Sequence, residues 1–402
     1  MSDRVGTQQD VLAGIRVIDA SNLIAGPVAG AMLGDFGADV IKIEHPELGD
    51  PLRTHGESVE GVPLWWTSVG RNKRAITLHL GTERGQELFR ELCREADVVI
   101  ESFRPGTFER WGLSYERLSE DNPGLILARV TGFGQYGPLA TRPGFGTIGE
   151  AMSGFAYRNG QPDGPPTLPP LGLADVSTGL LSANAIMMAL FARERGAGGQ
   201  VLDVAIIESL LMVLSPQEIV YDQTGGVLER TGSRSPMNAP RNVYRTVDGD
   251  WVAISASTAN TADRLMRLIG RDDIADQDWF GSSLGRVQHV EEIDGAVSAW
   301  VAAHTKDEVI DACERAGTPA SPLYSAKDVL EDEQYTALGS LAEVAHPVLG
   351  TVRVPNVAFR MSATPGRIRW AGPAMGEHNA EVFAGLGLGC KDLDALRREG
   401  VI

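Results

Sequence analysis

Cysteine is scarce. Cys93, Cys313 and Cys390 are odd in number, far apart, and never spaced Cys-x-x-Cys. That argues against a disulfide framework and against a thiolate metal site. The histidines, seven in all, never fall at His-x-x-x-His or a similar ligand spacing, so no metal is expected. Long apolar runs are missing too. The longest, Ala185–Ala192, is far short of the ~20 residues that span a bilayer. The start, Met1–Gln9, is polar and lacks the apolar core of a secretory signal. Basic residues are in deficit, 36 Lys and Arg against 53 Asp and Glu, for a formal charge of −17. Such a chain is a poor partner for nucleic acid or an anionic membrane. An anionic ligand would need a local cluster of cations to overcome the global field. From these absences a reduced, soluble, cytoplasmic protein is expected.

What is present is ordinary globular material, 43% hydrophobic and 22% charged, too apolar for intrinsic disorder. The 402 residues exceed the roughly 250–300 at which a single core stops growing, so two lobes are expected. Ile15–Asp19, Asp39–Glu44, Ala75–Leu80, Val98–Ile100, Leu125–Val130 and Gln200–Val204 read as strands. Helical stretches separate them, including Glu83–Ala96, Ala174–Arg195 and Ile206–Leu214. Strands alternating with helices predict a parallel sheet covered on both faces. The fold class is therefore α/β, a Rossmann-like large domain plus a small α+β domain. The large domain takes residues 1–224 and a return segment 331–402, with the small domain at 225–330. In the small domain, Asn242–Thr246 and Trp251–Ile254 suggest a hairpin, and Ala259–Ile269, Val290–His304 and Lys306–Ala316 suggest helices. A short helix is expected to begin near His378.

Two formal motif matches fail on context. Gly144-Phe-Gly-Thr-Ile-Gly149 fits the dinucleotide pattern G-x-G-x-x-G, but no strand precedes it and no acidic residue follows about 20 positions later. Gly281-Ser-Ser-Leu-Gly285 fits the nucleophile-elbow pattern but follows no buried strand, and reads as a surface turn.

The informative stretch is Leu171-Gly-Leu-Ala-Asp175-Val-Ser-Thr-Gly179, where Asp175 stands at the head of a long apolar helix. A carboxylate there can simply cap the helix. It can also be held ionised and in place as a nucleophile. Several motifs accompany it in order: Asp19-Ala-Ser-Asn-Leu-Ile-Ala-Gly-Pro27, Gly37–Glu44, Gly49–Arg53, Arg71–Arg74, Glu101–Gly106, Thr131–Pro138, Gly198–Asp203 and Gly376–Asn379. This ordered set resembles the family III CoA-transferases of the CaiB/BaiF type, the group that includes formyl-CoA and carnitine CoA-transferases. The likeness covers nearly the whole chain and is weakest in the small domain.

The resemblance implies that Asp175 attacks an acyl-CoA thioester and passes through a mixed anhydride and an aspartyl-CoA thioester. CoA is then a substrate and product rather than a tightly bound cofactor, and the partners are an acyl-CoA and a carboxylic acid. The family is built as interlocked, ring-like homodimers. The likeness also sets Leu23, Ala25, Lys73, Phe103 and Arg110 along the CoA path. Arg71, Lys73 and Arg74 form one cationic cluster, and Arg104 and Arg110 follow a strand end. Such groups suit CoA phosphates. His45 stands where relatives often carry Arg. Relatives often have Tyr and an acid where this chain has Phe145-Gly146, which implies a more permissive or less acidic wall beside the nucleophile, suited to an anionic acyl group. Arg142–Gly154 and Ala239–Arg245 look most like the branch handling short dicarboxylates such as succinyl, mesaconyl or citramalyl esters. Three rivals are an α-methylacyl-CoA racemase, a non-catalytic CoA binder in which Asp175 only caps its helix, and a nicotinamide oxidoreductase. The first needs a histidine base in a region that here, Gly144–Gly149, has none.

Overall fold

Adjacent apolar pairs, Val17-Ile18, Val40-Ile41, Val98-Val99 and Ile126-Leu127, occupy short strands in which successive side chains point to opposite faces. A sheet built this way must be covered on both sides. In the computed structural model, which describes residues 10–402, the strands are β1 (Arg16–Asp19), β2 (Asp39–Glu44), β3 (Lys73–Thr77), β4 (Val98–Glu101), β5 (Ile126–Thr131) and β6 (Gln200–Ala205). They form one parallel sheet in the order β3-β2-β1-β4-β5-β6, the doubly wound order of dinucleotide-binding folds.

The helices that matter for the site are α1 (Ala25–Asp35), α2 (Glu83–Arg94), α3 (Gly146–Met152), α4 (Leu173–Glu194) and α5 (Ile206–Leu214). Thr82 caps α2 by accepting the Gly85 N–H at 3.1 Å, and the helix buries Leu88, Phe89, Leu92 and Cys93. On that face Ile18, Ile41, Val99 and Leu127 meet Phe89 and the chain's last segment, through Phe383, Leu396 and Ile402. The other face sets Val17, Val40, Val98 and Ile126 against Leu33 of α1, Ile186 and Leu190 of α4, and Leu210 of α5. Among the elements the sequence reading does not name are the hairpin Leu341–His346/Gly350–Pro355 and the final helix Cys390–Arg398.

By length and composition α4 would pass as a membrane span. It is instead a helix of two unlike sides. Ala183, Ile186 and Leu190 are buried in the core, while Leu180, Met187, Met188 and Phe191 are exposed. A helix apolar on most faces would by that pattern lie deep in the protein, and this one is buried on one side only. Its contact with α1 depends on small residues, since a Cβ at Gly179 would lie 2.7 Å from the Ala25 carbonyl oxygen.

The chain divides into two units. The first comprises the sheet just described, with residues up to Phe155, Leu168–Pro216 and Gln334–Ile402. The second takes Ala156–Thr167 and Gln217–Glu333. It holds a three-stranded antiparallel sheet, Arg241–Arg245, Trp251–Ser255 and Ala320–Pro322, with helices Ala259–Leu268, Val290–Val301 and Lys306–Ala316. Its core gathers Val252, Ile254, Leu265, Ile293, Val297 and Val309. Arg286, fully buried, donates to the carbonyls of Ala239, Phe280 and Ser257 at 2.7, 2.8 and 3.1 Å. Ser283, the central serine of the elbow-like match, opens helix Ser283–Gln288, and its hydroxyl accepts from the buried Arg286 at 3.3 Å. Ser282 before it caps that helix by accepting the Gly285 N–H at 2.9 Å. Both hydroxyls serve the fold.

Overpacking tests the α1–α4 contact. Gly179→Val should lower the unfolding free energy by about 1–3 kcal/mol in a urea titration. An unchanged midpoint would mean that the two helices are free to separate.

Candidate active site

In a sheet ordered 3-2-1-4-5-6 the connections leaving β1 and β4 run in opposite directions, so a crevice opens at the carboxyl ends of those strands. A cavity of about 330 Å³ lies there, walled by Leu23 and Ala25 after β1, Phe103 and Arg104 after β4, Gly132 after β5, and Asp175 of α4. Asn22, Arg142, Phe145 and Ile206 complete much of the lining.

The turn after β1 is held by buried charge. Leu23 has φ +65°, a left-handed conformation that costs a residue bearing Cβ roughly 1–2 kcal/mol. Asp50 fixes it, accepting the Leu23 N–H at 3.1 Å while its other oxygen meets Lys42 Nζ at 3.1 Å. Lys42 Nζ also donates to the carbonyl oxygens of Ser21 and Ile43. Asp19 accepts from the Ser21 N–H and hydroxyl, and pairs with Lys73 Nζ at 2.8 Å. Lys73 Nζ donates further to the Pro27 carbonyl at 2.6 Å. Asp19, Lys42, Asp50 and Lys73 are all fully buried. Burial alone would raise the Asp19 pKa, but the ammonium groups of Lys73 and Lys42 outweigh it and hold the carboxyl below its ordinary value.

The cationic cluster therefore does not converge on the cavity. Strand β3 begins at Lys73 rather than Ala75, and strand side chains alternate between faces. Lys73 turns inward to Asp19, while Arg74 pairs with Asp39 at 2.6 Å and Glu381 at 2.9 Å. Arg71 pairs with Asp35 at 2.7 Å. Each cation of the cluster meets a carboxylate of this chain. Arg110 ends the short helix Thr107–Arg110, donating to Thr107 Oγ1 at 3.0 Å. Arg104 and Arg142 are different: both are exposed, both line the cavity, and neither forms an ion pair among the described residues.

Asp175 is the third residue of α4, and Gly172 occupies the cap position. Its carboxylate accepts the N–H of Gly146 instead of capping its own helix. The approach is close: a Cβ at Gly146 would lie 2.3 Å from Asp175 Oδ2, so any larger residue displaces the carboxylate. Burial raises the Asp175 pKa to about 6, the charge of Glu150 adds to the rise, and the Gly146 N–H partly offsets it. Glu150 is itself 2% exposed. The sequence reading missed it. Gly144–Gly149 resembles a loop, yet residues from Gly146 onward form α3, and positions four apart share a helix face. Glu150 is not among the residues lining the cavity, but a turn after Gly146 it brings a second carboxylate close enough for its charge to act on Asp175. A half-buried carboxylate of raised pKa, open to a cavity and unpaired with a cation among the described residues, can take up an acyl group or a proton.

Likeness to known proteins bears on which. The model of CoA-transferase family III matches residues 12–379. The succinyl-CoA–D-citramalate CoA-transferase of Chloroflexus aurantiacus is 41% identical over 390 residues, covering 96% of this chain and 97% of that protein. The succinyl-CoA–L-malate CoA-transferase beta subunit of the same organism is 41% identical over 396 residues, covering 97% and 98%. A crystal structure of a CAIB/BAIF family protein from Brucella suis superposes with TM-score 0.83 at 33% identity, covering 94% of this chain and 100% of that one. The chain belongs to CoA-transferase family III. It is a CoA-transferase.

The buried ion pairs give a stability prediction. Lys73→Ala leaves Asp19 without its partner and should cost about 3–5 kcal/mol, read by chemical denaturation. A loss below about 1 kcal/mol, the range of exposed pairs, would contradict the network.

Proposed function

We propose that this enzyme moves CoA between short dicarboxylic acids, with Asp175 as the covalent relay. An Asp175 carboxylate oxygen attacks the thioester carbonyl of the donor, the C–S bond breaks, and CoA leaves as the thiolate. The thiolate then attacks the carbonyl carbon of Asp175, releasing the first acid as a carboxylate and leaving an aspartyl-CoA thioester. An incoming carboxylate attacks that thioester and forms a new anhydride. The freed thiolate takes the new acyl group and restores Asp175. One thioester is consumed as another is made, so the exchange needs no nucleoside triphosphate. Splitting the transfer into acyl steps is covalent catalysis. The single observation that carries the proposal is the cavity-facing Asp175, set against the Gly146 backbone with no cation among the described residues to neutralise it.

CoA is proposed to enter past Leu23, Ala25, Phe103, Arg104 and Arg110. Support comes from a second cavity, of about 150 Å³, that shares Asn22 and Phe103 with the first. It is lined by Trp111, His45 and His79, with the two histidine rings 4.4 Å apart between centroids. Aromatic plates of this kind suit the adenine end, and Arg104 and Arg110 suit its phosphates. Lys73 would act from behind, by holding the β1 turn.

For the acid, the support is chemical. The relatives named above act on succinyl-CoA with citramalate or malate, all dicarboxylic. A second carboxylate in the cavity requires an unpaired cation, and Arg142 is one. A homodimer is proposed as well, supported by the exposed apolar side of α4; sedimentation at micromolar concentration tests it.

Asp175→Asn should abolish CoA exchange, by more than about 10³-fold as expected for a covalent nucleophile, while CoA affinity stays within a few fold. Retained exchange would end the proposal. Loss of one charged hydrogen bond is worth about 1.5–3 kcal/mol. Arg142→Gln should therefore raise KM for succinate by roughly 10–100-fold and leave KM for a short monocarboxylic acid nearly unchanged. An equal effect on both acids would assign Arg142 elsewhere.

A further inference from the structure

Glu150 stands behind Asp175, and the reaction written above gives it no part. It lies four residues after Gly146 on α3, so both meet the head of α4. Glu150 Oε1 accepts the Ala174 N–H at 3.2 Å. The carbonyl of Ala174 is held as well, accepting from Thr178 Oγ1 at 2.6 Å, and that hydroxyl is bonded to Ser209 Oγ at 2.7 Å. The residue immediately before Asp175 is thus clamped at its amide and at its carbonyl. Holding an N–H requires only an oxygen. An uncharged amide side chain would serve, yet the chain places a carboxylate there, and Glu150 forms no ion pair among the described residues. Two acids accordingly share one end of α4. Arg104 and Arg142, on the lining loops, are the other charged groups facing the cavity. From α5 the neighbours are Ile206 and the Ser209 hydroxyl.

We infer that Glu150 is a positioning residue that also acts electrostatically. It fixes the turn that carries Asp175, and its negative charge favours the acylated states of Asp175 over the free carboxylate. The inference rests on the covalent role proposed for Asp175. When the Oδ–C bond forms and the C–S bond breaks, the electron pair departs on the CoA sulfur, and later on the released acid. Negative charge thereby leaves the neighbourhood of Glu150. Position 175 is uncharged in both the anhydride and the thioester, so only the resting carboxylate feels the repulsion. Burial and this repulsion together raise the resting carboxyl's pKa. A more basic carboxylate is also the stronger nucleophile.

Glu150→Gln separates the two roles, since it keeps an acceptor oxygen and removes the charge. Two readouts apply: kcat/KM against pH, and the fraction of protein carrying a covalent adduct in intact-mass spectra after mixing with succinyl-CoA. In the wild type kcat/KM should rise with pH through about 6, as Asp175 loses its proton. In Glu150→Gln that limb should move down by about one pH unit. The adduct fraction should fall by roughly 3–10-fold, one pKa unit being tenfold. The limb's position does not depend on how much of the variant folds. A wild-type limb together with a wild-type adduct fraction would overturn the inference while leaving Asp175 acylated. No adduct in the wild type would instead remove the covalent reading, and this inference with it.

Discussion

A carboxylate pressed against backbone, with a second carboxylate nearby and no cation within ion-pair reach among the described residues, is the constraint on which this active site turns. Asp175 has a single backbone N–H for support, that of Gly146, and a neighbour, Glu150, of like charge. Ordinary stability favours the opposite arrangement. Elsewhere in the same unit Asp19, Asp35, Asp39 and Asp50 all have Lys or Arg partners. A buried carboxylate left without one is destabilised in its charged form. The acylation proposed for Asp175 would remove that charge, so what is unfavourable in the resting protein would become a driving force toward the covalent state.

The rest of the unit maintains this arrangement. Sheet order places the crevice between the connections from β1 and β4, and the buried pairs Asp19–Lys73 and Lys42–Asp50 hold the β1 turn in a left-handed conformation at Leu23. The close contact of α1 with Gly179 sets the head of α4 beside that turn. On the far side α3 begins with a glycine because Asp175 leaves no space for a Cβ. Rigid surroundings matter here, since a carboxylate with little hydrogen bonding of its own must be positioned by what it is attached to.

Much of this was legible in the sequence. The alternation of apolar strands and helices pointed to the parallel sheet, with boundaries within a few residues, because both faces are buried and the pattern is dense. Asp175 was singled out through its company of motifs, as were Leu23, Ala25 and Phe103, and Arg104 as a cation after a strand end; all five line one cavity. The cations were harder. Lys73 and Arg74 are neighbours in sequence but point to opposite faces of β3, and their partners, Asp19 and Asp39, lie on other strands. Glu150 was hidden for a related reason: the glycine-rich run before it reads as loop, and only helix α3 turns it toward Asp175. The exposed side of α4 could not be read either, since an apolar helix in the core and one with a bare face have the same composition.

The central claim is that Asp175 itself becomes acylated. Its most direct test is peptide mapping by mass spectrometry after the enzyme is mixed with succinyl-CoA and quenched in hydroxylamine. A hydroxamate is expected on the peptide carrying Asp175, absent when succinyl-CoA is left out. An unmodified Asp175 under conditions in which CoA is demonstrably exchanged would contradict the claim.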